Sequence, residues 1–496
     1  MSVLALILMT LYLTGLTMIL LFTFMQIYLA YTCRKSAQNS KESGPFKRPE
    51  SFPMVTIQLP VYNERYVIER LLTSVINMTW PADKLEIQIL DDSTDDTSRI
   101  IETVCSRLNT GNINIRHIRR NDRTGFKAGA LQYGLERAKG EYIAIFDADF
   151  MPAPDFLLKT ITGFDKPDIG LVQTRWGHIN RDYSILTKLQ ALALDAHFNV
   201  EQQGRNRSGF FMNFNGTAGV WRKSCILDAG GWHHDTLTED LDISYRAQIK
   251  GWKFRYMGDV VTPAELPVAV SALKTQQYRW TKGAAETARK NLAEVVRTKM
   301  SSGRKMHAIS HLLGSSVFIW ILLLSVVSVP LLWLKYLGYV DPFFFKLLSV
   351  FIVGLLLWIY FYETSLIPDQ PDTVKRWKTM FSRFPLFLAI SMGLGFHNSM
   401  AVLSGYAGRK SPFIRTPKFN TIDRDSSWKS NIYLVRELGI STLIEGGLML
   451  LFLFGVISAF FVNDFGLLPF HILLLAGYGI LFSKTIYEAS LKSAGI

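Results

Sequence analysis

A chain of 496 residues is longer than one globular core usually holds, and it combines 49% hydrophobic content with a net charge of +13. The basic excess clusters beside apolar runs, where it would meet anionic lipid; no basic-aromatic module accompanies it, so nucleic-acid binding is not expected. Cys33, Cys105 and Cys225 have no metal-ligand spacing, and no GxGxxG or Walker A pattern occurs, which sets aside a dinucleotide dehydrogenase and a P-loop NTPase.

Residues 1–31 are apolar with no charge before Arg34, and read as a transmembrane anchor. A basic linker, 32–50, follows with Arg34, Lys35, Lys41, Lys47 and Arg48; this predicts an outside N-terminus and delivery of the next segment to the cytosol. From 51 to 268 the chain alternates strand and helix signals. Residues 55–60 form the first expected strand, with Tyr62 and Glu64 beyond its end and a helix opened by Glu64 that Trp80-Pro81 terminates. Residues 85–90 form the second, followed by Asp91 and Asp92 and a helix near Thr97. Residues 114–118 form the third, and a helix around Lys127 follows. The fourth strand, 141–146, delivers Asp147-Ala148-Asp149. Such alternation predicts a parallel sheet covered by helices on both faces.

Two strands thus end in carboxylates, at the edge where open α/β sheets bind ligands. Asp147 and Asp149 suit a hard divalent cation, Mg²⁺ or Mn²⁺, that in turn holds phosphate oxygens. A solvated turn or a helix cap is the plainer role for any of these aspartates. Lys127, at a Gly-flanked helix start, is either a phosphate ligand or a surface lysine. Asn215-Gly216-Thr217 is a small-residue turn that lets backbone approach a ligand, or a tight turn in the core. Thr238-Glu239-Asp240 opens a helix; Asp240 is a general base or part of the cap. Gln276, Arg279 and Trp280 lie on an amphipathic helix within 269–306, near the membrane. There Trp280 is an interfacial anchor or a sugar-stacking platform, and Arg279 suits phosphate.

Residues 307–496 read as a membrane region. The runs 311–337, 343–362, 439–461 and 465–482 are each expected to cross, giving five crossings with the anchor and a cytosolic C-terminus. The run 384–407 lies between basic stretches (Lys375, Arg376, Lys378 and Arg383 before it; Arg409, Lys410, Arg415, Lys418, Arg424, Lys429 and Arg436 after). A single crossing there breaks the parity, so an interfacial or re-entrant segment is expected, with Gly393, Gly395, His397 and Asn398 weakening it as a span.

The ordered set Asp91-Asp92, Asp147-x-Asp149, Thr238-Glu239-Asp240 and Gln276-Gln277-x-Arg279-Trp280 resembles the processive family 2 glycosyltransferases of the cellulose synthase superfamily. Within it, the likeness is to cellulose synthase-like glucomannan and glucan synthases. The segments 172–176, 214–218, 229–232, 251–254 and 265–267 support this, and Phe413-Ile-Arg-Thr-Pro-Lys418 resembles the family's gating motif, in a loop of 408–437. The resemblance implies an α/β domain of the GT-A type, a Rossmann-like mixed sheet, on the cytosolic side and inserted between transmembrane helices.

It implies that Pro60, Tyr62, Glu64, Asp91 and Asp92 face the nucleotide and that Lys127 and Asp147 lie at the donor diphosphate. Asp149, with Asp147, would hold the metal. Asp240, with Glu239 beside it, would be the base, already ionised at neutral pH. Gln276 and Arg279 would hold the leaving diphosphate, and Trp280, with Asn215, Gly216 and Thr217, would meet the acceptor. The implied reaction is inverting transfer of a hexose from UDP-glucose or GDP-mannose to a growing β-linked glucan or mannan, β-1,4 by resemblance, with export through the bilayer. The site of action would be a plasma or inner membrane, or the Golgi. Cyclic-dinucleotide control is not expected. A nonprocessive enzyme that glucosylates a membrane lipid shares similar motifs and is the alternative. A transporter is set aside, because the acidic motifs all fall in the soluble segment.

Overall fold

In the computed structural model, every residue of Leu85-Glu-Ile-Gln-Ile-Leu-Asp91 is buried, as a strand covered on both faces requires. It is β2 of a seven-stranded sheet ordered β3-β2-β1-β4-β6-β5-β7. The others are β1 (Val55–Val61), β3 (Asn114–Arg119), β4 (Tyr142–Ile145), β5 (Ile169–His178), β6 (Gly219–Arg222) and β7 (Lys253–Ala264). The structure describes residues 2–39, 49–108, 113–421, 428–429, 431–434 and 438–491. Lys41, Lys47 and Arg48 of the basic linker, and Arg424 and Arg436 of the later basic stretch, lie outside the described residues.

The first four strands pair in parallel, with β1 between β2 and β4. β6 runs antiparallel to both β4 and β5, so the sheet is mixed, as the family resemblance implied. Polar side chains inside it are matched across strands. Thr56 donates to Glu86 at 2.7 Å, and Gln58 to Gln88 at 3.0 Å, which reduces the penalty of burying these polar groups.

Short β–α connections set the geometry of the site edge. Helix α1 is Val3–Asn39. Helix α2 (Ile68–Ile76) buries Ile68, Leu71, Leu72 and Val75. Glu64 does not open it; the Glu64 carbonyl accepts from the N–H groups of Val67 and Ile68 one turn ahead of it. Helix α3 (Thr97–Leu108) begins where expected, with Asp95 accepting from the Thr97 N–H at 3.0 Å. Helix α4 (Phe126–Leu135) starts from Gly125 at φ 72°, a conformation that L side chains rarely adopt. Helix α5 is Glu239–Ile249 and α6 is the long Val270–Arg297.

Among the described residues four helices are long and apolar enough to cross a membrane: Val3–Lys35 within α1, Gly314–Tyr336, which ends in α7 (Val317–Tyr336), α11 (Ile440–Phe461) and α12 (Leu468–Ser490). The crossing expected at 343–362 is not one helix. It is split into Pro342–Leu348, a tight turn at Ser349–Phe351, and α8 (Ile352–Ser365). The 14 residues of α8 reach about 21 Å, short of the roughly 30 Å of hydrocarbon. Residues 384–407 fall in α9 (Thr373–Gly393) and α10 (Gly395–Tyr406), which bend by 47° at the Gly393–Gly395 break, the geometry of a broken span or a re-entrant pair.

Helices α9 and α12 meet through glycine. A Cβ on Gly477 would lie 1.9 Å from the Ala389 carbonyl oxygen, and one on Gly393 would lie 2.6 Å from the Gly477 backbone. Gly477→Leu is therefore expected to destabilise the folded protein by about 1–3 kcal/mol or more. A lowered thermal midpoint in detergent checks this, with Gly447→Leu, where a Cβ meets nothing within 4 Å, as the unaffected control.

Candidate active site

The carboxyl ends of β1, β2 and β4 open into one cleft of about 170 Å³. Its wall contains Pro60, Tyr62, Glu64, Asp92, Lys127, Asp147, Asp149, Asn215, Gly216, Glu239, Asp240, Gln276, Arg279 and Trp280. Two residues expected in the site, Asp91 and Thr217, are not part of that wall. Thr217 is fully buried and its Oγ1 accepts from the Asp147 N–H at 2.8 Å, so it holds the backbone from which Asp147 projects. Asp91 is buried beneath the strand end. It accepts from the Ser93 N–H at 2.9 Å and Ser98 Oγ at 2.5 Å, and lies 2.9 Å from His117 Nε2. Burial works against its charge, but those hydrogen bonds hold its carboxyl down at about 2.

Opposite charges interleave at the centre. Lys127 Nζ lies 2.6 Å from Asp147 Oδ1, 3.0 Å from the Gly216 carbonyl and 3.8 Å from Glu239. Burial pulls its pKa down, yet Asp147 and Glu239 hold it above the ordinary lysine value. Gly216 adopts φ 80°, and a Cβ there would sit 3.0 Å from Asp240 Oδ2 and 3.4 Å from Lys127 Nζ. Only glycine lets the turn come this close.

Asp240 lies in the first turn of α5, and its Oδ1 accepts from the Leu241 N–H at 2.8 Å. The Thr238 hydroxyl makes no cap; it lies 3.1 Å from Thr287. The sequence expectation that Asp240 is ionised with an ordinary or lowered pKa does not hold in this setting. Burial, then repulsion from Glu239, pushes it up to about 7. Arg279 is desolvated too, which lowers its pKa against the pull of Asp147, Glu239 and Asp240.

The segment 413–418 closes the cleft. Arg415 donates to both oxygens of Glu64, at 2.8 and 3.0 Å, and Lys418 Nζ lies 2.6 Å from Asp149 Oδ2. Phe413 stacks on Phe126 with centroids 5.7 Å apart and faces the Arg279 guanidinium at 4.9 Å. Glu265 fixes the following residues by accepting from the N–H groups of Phe419 and Asn420, at 2.9 and 3.0 Å. On the opposite wall the Arg123 guanidinium covers the Tyr62 ring at 3.3 Å, and Arg120 holds Asp92 through its Nε at 2.9 Å.

Arg120, Arg123 and Arg415 were not singled out as site residues from sequence. Arg415 lies inside the 413–418 motif and Arg123 beside the Gly-flanked helix start, so both had a signal. Nothing distinguishes Arg120 from other surface arginines.

The donor chemistry fits a divalent cation: Asp147 and Asp149 offer hard carboxylate oxygens, and each already attracts an ammonium group into the position of a counter-charge. Among the described residues a second group, His233, Asp235 and Asp242, has three potential ligand atoms within 4.8 Å of one another. It does not line this cleft, and Lys290 Nζ sits among them at 3.1, 2.7 and 3.1 Å.

Known proteins resemble this chain in sequence and in fold. The family description "Glycosyl transferase family 2" matches residues 56–226 and "Glycosyl transferase family group 2" matches 142–362. A probable glucomannan 4-beta-mannosyltransferase 4 of Oryza sativa subsp. japonica is 46% identical over 263 residues, 52% of this chain and 48% of its own length. Glucomannan 4-beta-mannosyltransferase 2 of Arabidopsis thaliana is 46% identical over 254 residues, 50% of this chain and 48% of its own. The chain thus spans about half the length of the curated relatives it matches. The mannosyltransferase PcManGT from Pyrobaculum calidifontis, solved in complex with GDP-Man and Mn2+, superposes with a TM-score of 0.54. That match covers 81% of this chain and all of that one at 18% identity, a likeness of fold. Two overlapping family matches running from 56 to 362, with these relatives alongside, mark that region of the chain as a family 2 glycosyltransferase of the cellulose synthase-like kind.

Proposed function

We propose that the protein transfers a hexose, mannose before glucose, from a nucleotide sugar to the end of a β-linked polysaccharide at a membrane, with inversion at the anomeric carbon. The observation that carries this is the meeting of Asp147, Asp149, Asp240, Gln276, Arg279 and Trp280 on one cleft. The names of the relatives, glucomannan 4-beta-mannosyltransferases, support mannose as the transferred sugar and a β-1,4 linkage, and the GDP-Man bound to PcManGT supports GDP-mannose as donor. Helices long enough to span a bilayer on both sides of the α/β domain support a membrane enzyme, and the basic residues that follow the first helix support work at the cytosolic face.

In this reading Tyr62, Glu64 and Asp92 receive the nucleoside, and Lys127, Gln276 and Arg279 receive the diphosphate. Asp149 and Asp147 would hold Mg²⁺ or Mn²⁺, which supplies positive charge where the leaving diphosphate becomes more negative. Arg279, desolvated and unable to lose its proton, stabilises the same charge as it develops. Trp280 offers a flat apolar face to the acceptor sugar. Asp240 takes the proton from the acceptor hydroxyl as that oxygen attacks the anomeric carbon opposite the departing phosphate. The new C–O bond forms as the C–O bond to phosphate breaks, so an α-linked donor yields a β-linked product.

A cleft of about 170 Å³ is smaller than the roughly 300–1,000 Å³ of ordinary ligand sites. Donor entry therefore requires segment 413–418 to swing away from Glu64 and Asp149.

The deciding experiment is a panel of radiolabelled nucleotide sugars with the protein in membranes, followed by linkage-specific digestion. A mannose-containing β-1,4 polymer supports the reading; a single labelled glycolipid refutes polymerisation. Asp240→Asn is expected to lower kcat by about 10²–10⁴ with the fold intact; turnover close to the parent removes the base. Asp240 must be ionised to accept a proton, so kcat rises with pH to a plateau above about 7 and falls about tenfold per pH unit below it. A flat profile between pH 5 and 8 contradicts that role. Removal of divalent cation by EDTA is expected to abolish transfer, and full activity afterwards defeats the metal role of Asp149.

A further inference from the structure

We infer that Lys274, Glu445 and Glu488 are positioning residues: carboxylates of the last two apolar helices set the register of the helix that carries Gln276, Arg279 and Trp280. This rests on the glycosyltransferase reading of that cleft. Helix α6 begins at Val270 with Ala269 as its cap residue, which offers no side-chain acceptor. The first N–H groups of any helix have no partner within it. Here Glu488 of α12 takes two of them: its oxygens accept from the N–H groups of Val270 and Ser271 at 2.6 and 2.9 Å. A negative charge at a helix N-terminus also meets the positive end of the macrodipole.

One turn on, Lys274 Nζ lies 2.6 Å from Glu445 of α11 and 3.1 Å from Thr485 Oγ1 of α12. The imidazole of His397, on α10, bonds the Lys274 carbonyl at 3.0 Å. Glu488 is 3% exposed and Glu445 0%. A buried charge left unmatched is strongly unfavourable, and an apolar contact of similar volume would serve packing at least as well. These charges match only when the first turn of α6 sits at one height and rotation against α11 and α12. Gln276, Arg279 and Trp280 follow Lys274 by two, five and six residues, about 3–9 Å along the axis. The tie therefore lies at the cleft end of α6 and reaches the groups proposed to hold diphosphate and acceptor.

The test compares Glu445→Gln, Lys274→Arg and the double variant Lys274→Met/Glu445→Met with the parent. Turnover of the accepted nucleotide sugar and hydrogen exchange of the 270–281 backbone are both read. The double variant removes both charges and is expected to fold, with a thermal midpoint close to the parent. If the pair positions α6, its kcat still falls roughly tenfold to a hundredfold, since small misplacement of reacting groups is that costly. Exchange at 276–281 also rises, and Lys274→Arg keeps most of the rate. A double variant with parental kcat and parental exchange overturns the inference and leaves a pair that only stabilises. Should the parent transfer sugar from no donor, the glycosyltransferase reading fails by itself. Exchange at 276–281 then decides the clamp alone, faster exchange in the double variant at a parental thermal midpoint upholding it and unchanged exchange overturning it.

Discussion

Four carboxylates gathered at the end of a buried sheet cannot stay together without positive charge, and the rest of the site follows from that constraint. Asp147, Asp149, Glu239 and Asp240 line one cleft with Lys127, Arg279 and Lys418 among them. Where a cation reaches a carboxylate directly, as Lys127 does at Asp147, the pair is satisfied. Among the described residues no cation reaches Asp240 directly; its hydrogen bond comes from the neighbouring backbone. Burial and Glu239 therefore raise its proton affinity, as burial raises that of Glu64 in the same wall. A site of this kind is primed for a ligand that brings cation and diphosphate together, since each neutralises part of the other.

The charge balance also explains the loop over the cleft. Arg415 and Lys418 answer Glu64 and Asp149, two carboxylates that face the donor in the proposed reading. The segment closes by ion pairs at one end and by Phe413 stacked between Phe126 and Arg279 at the other, while Glu265 pins the residues just beyond. A closed loop fixed at its C-terminal end and held elsewhere by exchangeable ion pairs is suited to open for a charged substrate and close on it.

Much of the α/β domain was legible because its signals are local. Three of the first four strands are short, mostly apolar runs, and β3 alternates Ile with polar residues; all four lie within a residue or two of their expected bounds. Strands β5, β6 and β7 were not anticipated. β6 has four residues, and the outer half of β5, Arg175-Trp-Gly-His178, is only half-buried and mixes charge with aromatic surface, so neither shows the pattern of a covered strand. The antiparallel placement of β6 depends on chain crossovers that no local period encodes. In the site, motif order brought Asp149, Asp240 and Arg279 into view. It could not tell that Asp91 turns beneath the strand and Asp92 into the cleft, because adjacent strand residues point to opposite faces and the register decides which face is which. The membrane half was legible as composition but not as helix continuity: 343–362 is apolar apart from Lys346 and Ser349, yet breaks at Ser349–Phe351.

A structure determined with GDP-mannose and Mn²⁺ bound addresses the assignment of this cleft most directly. The diphosphate is expected against Arg279 and Gln276, with the cation on Asp149, Lys418 moved off that carboxylate, and the anomeric carbon within reach of a hydroxyl bonded to Asp240. A nucleotide sugar lodged elsewhere, with Lys418 still on Asp149 and Asp240 remote from the sugar, would contradict it.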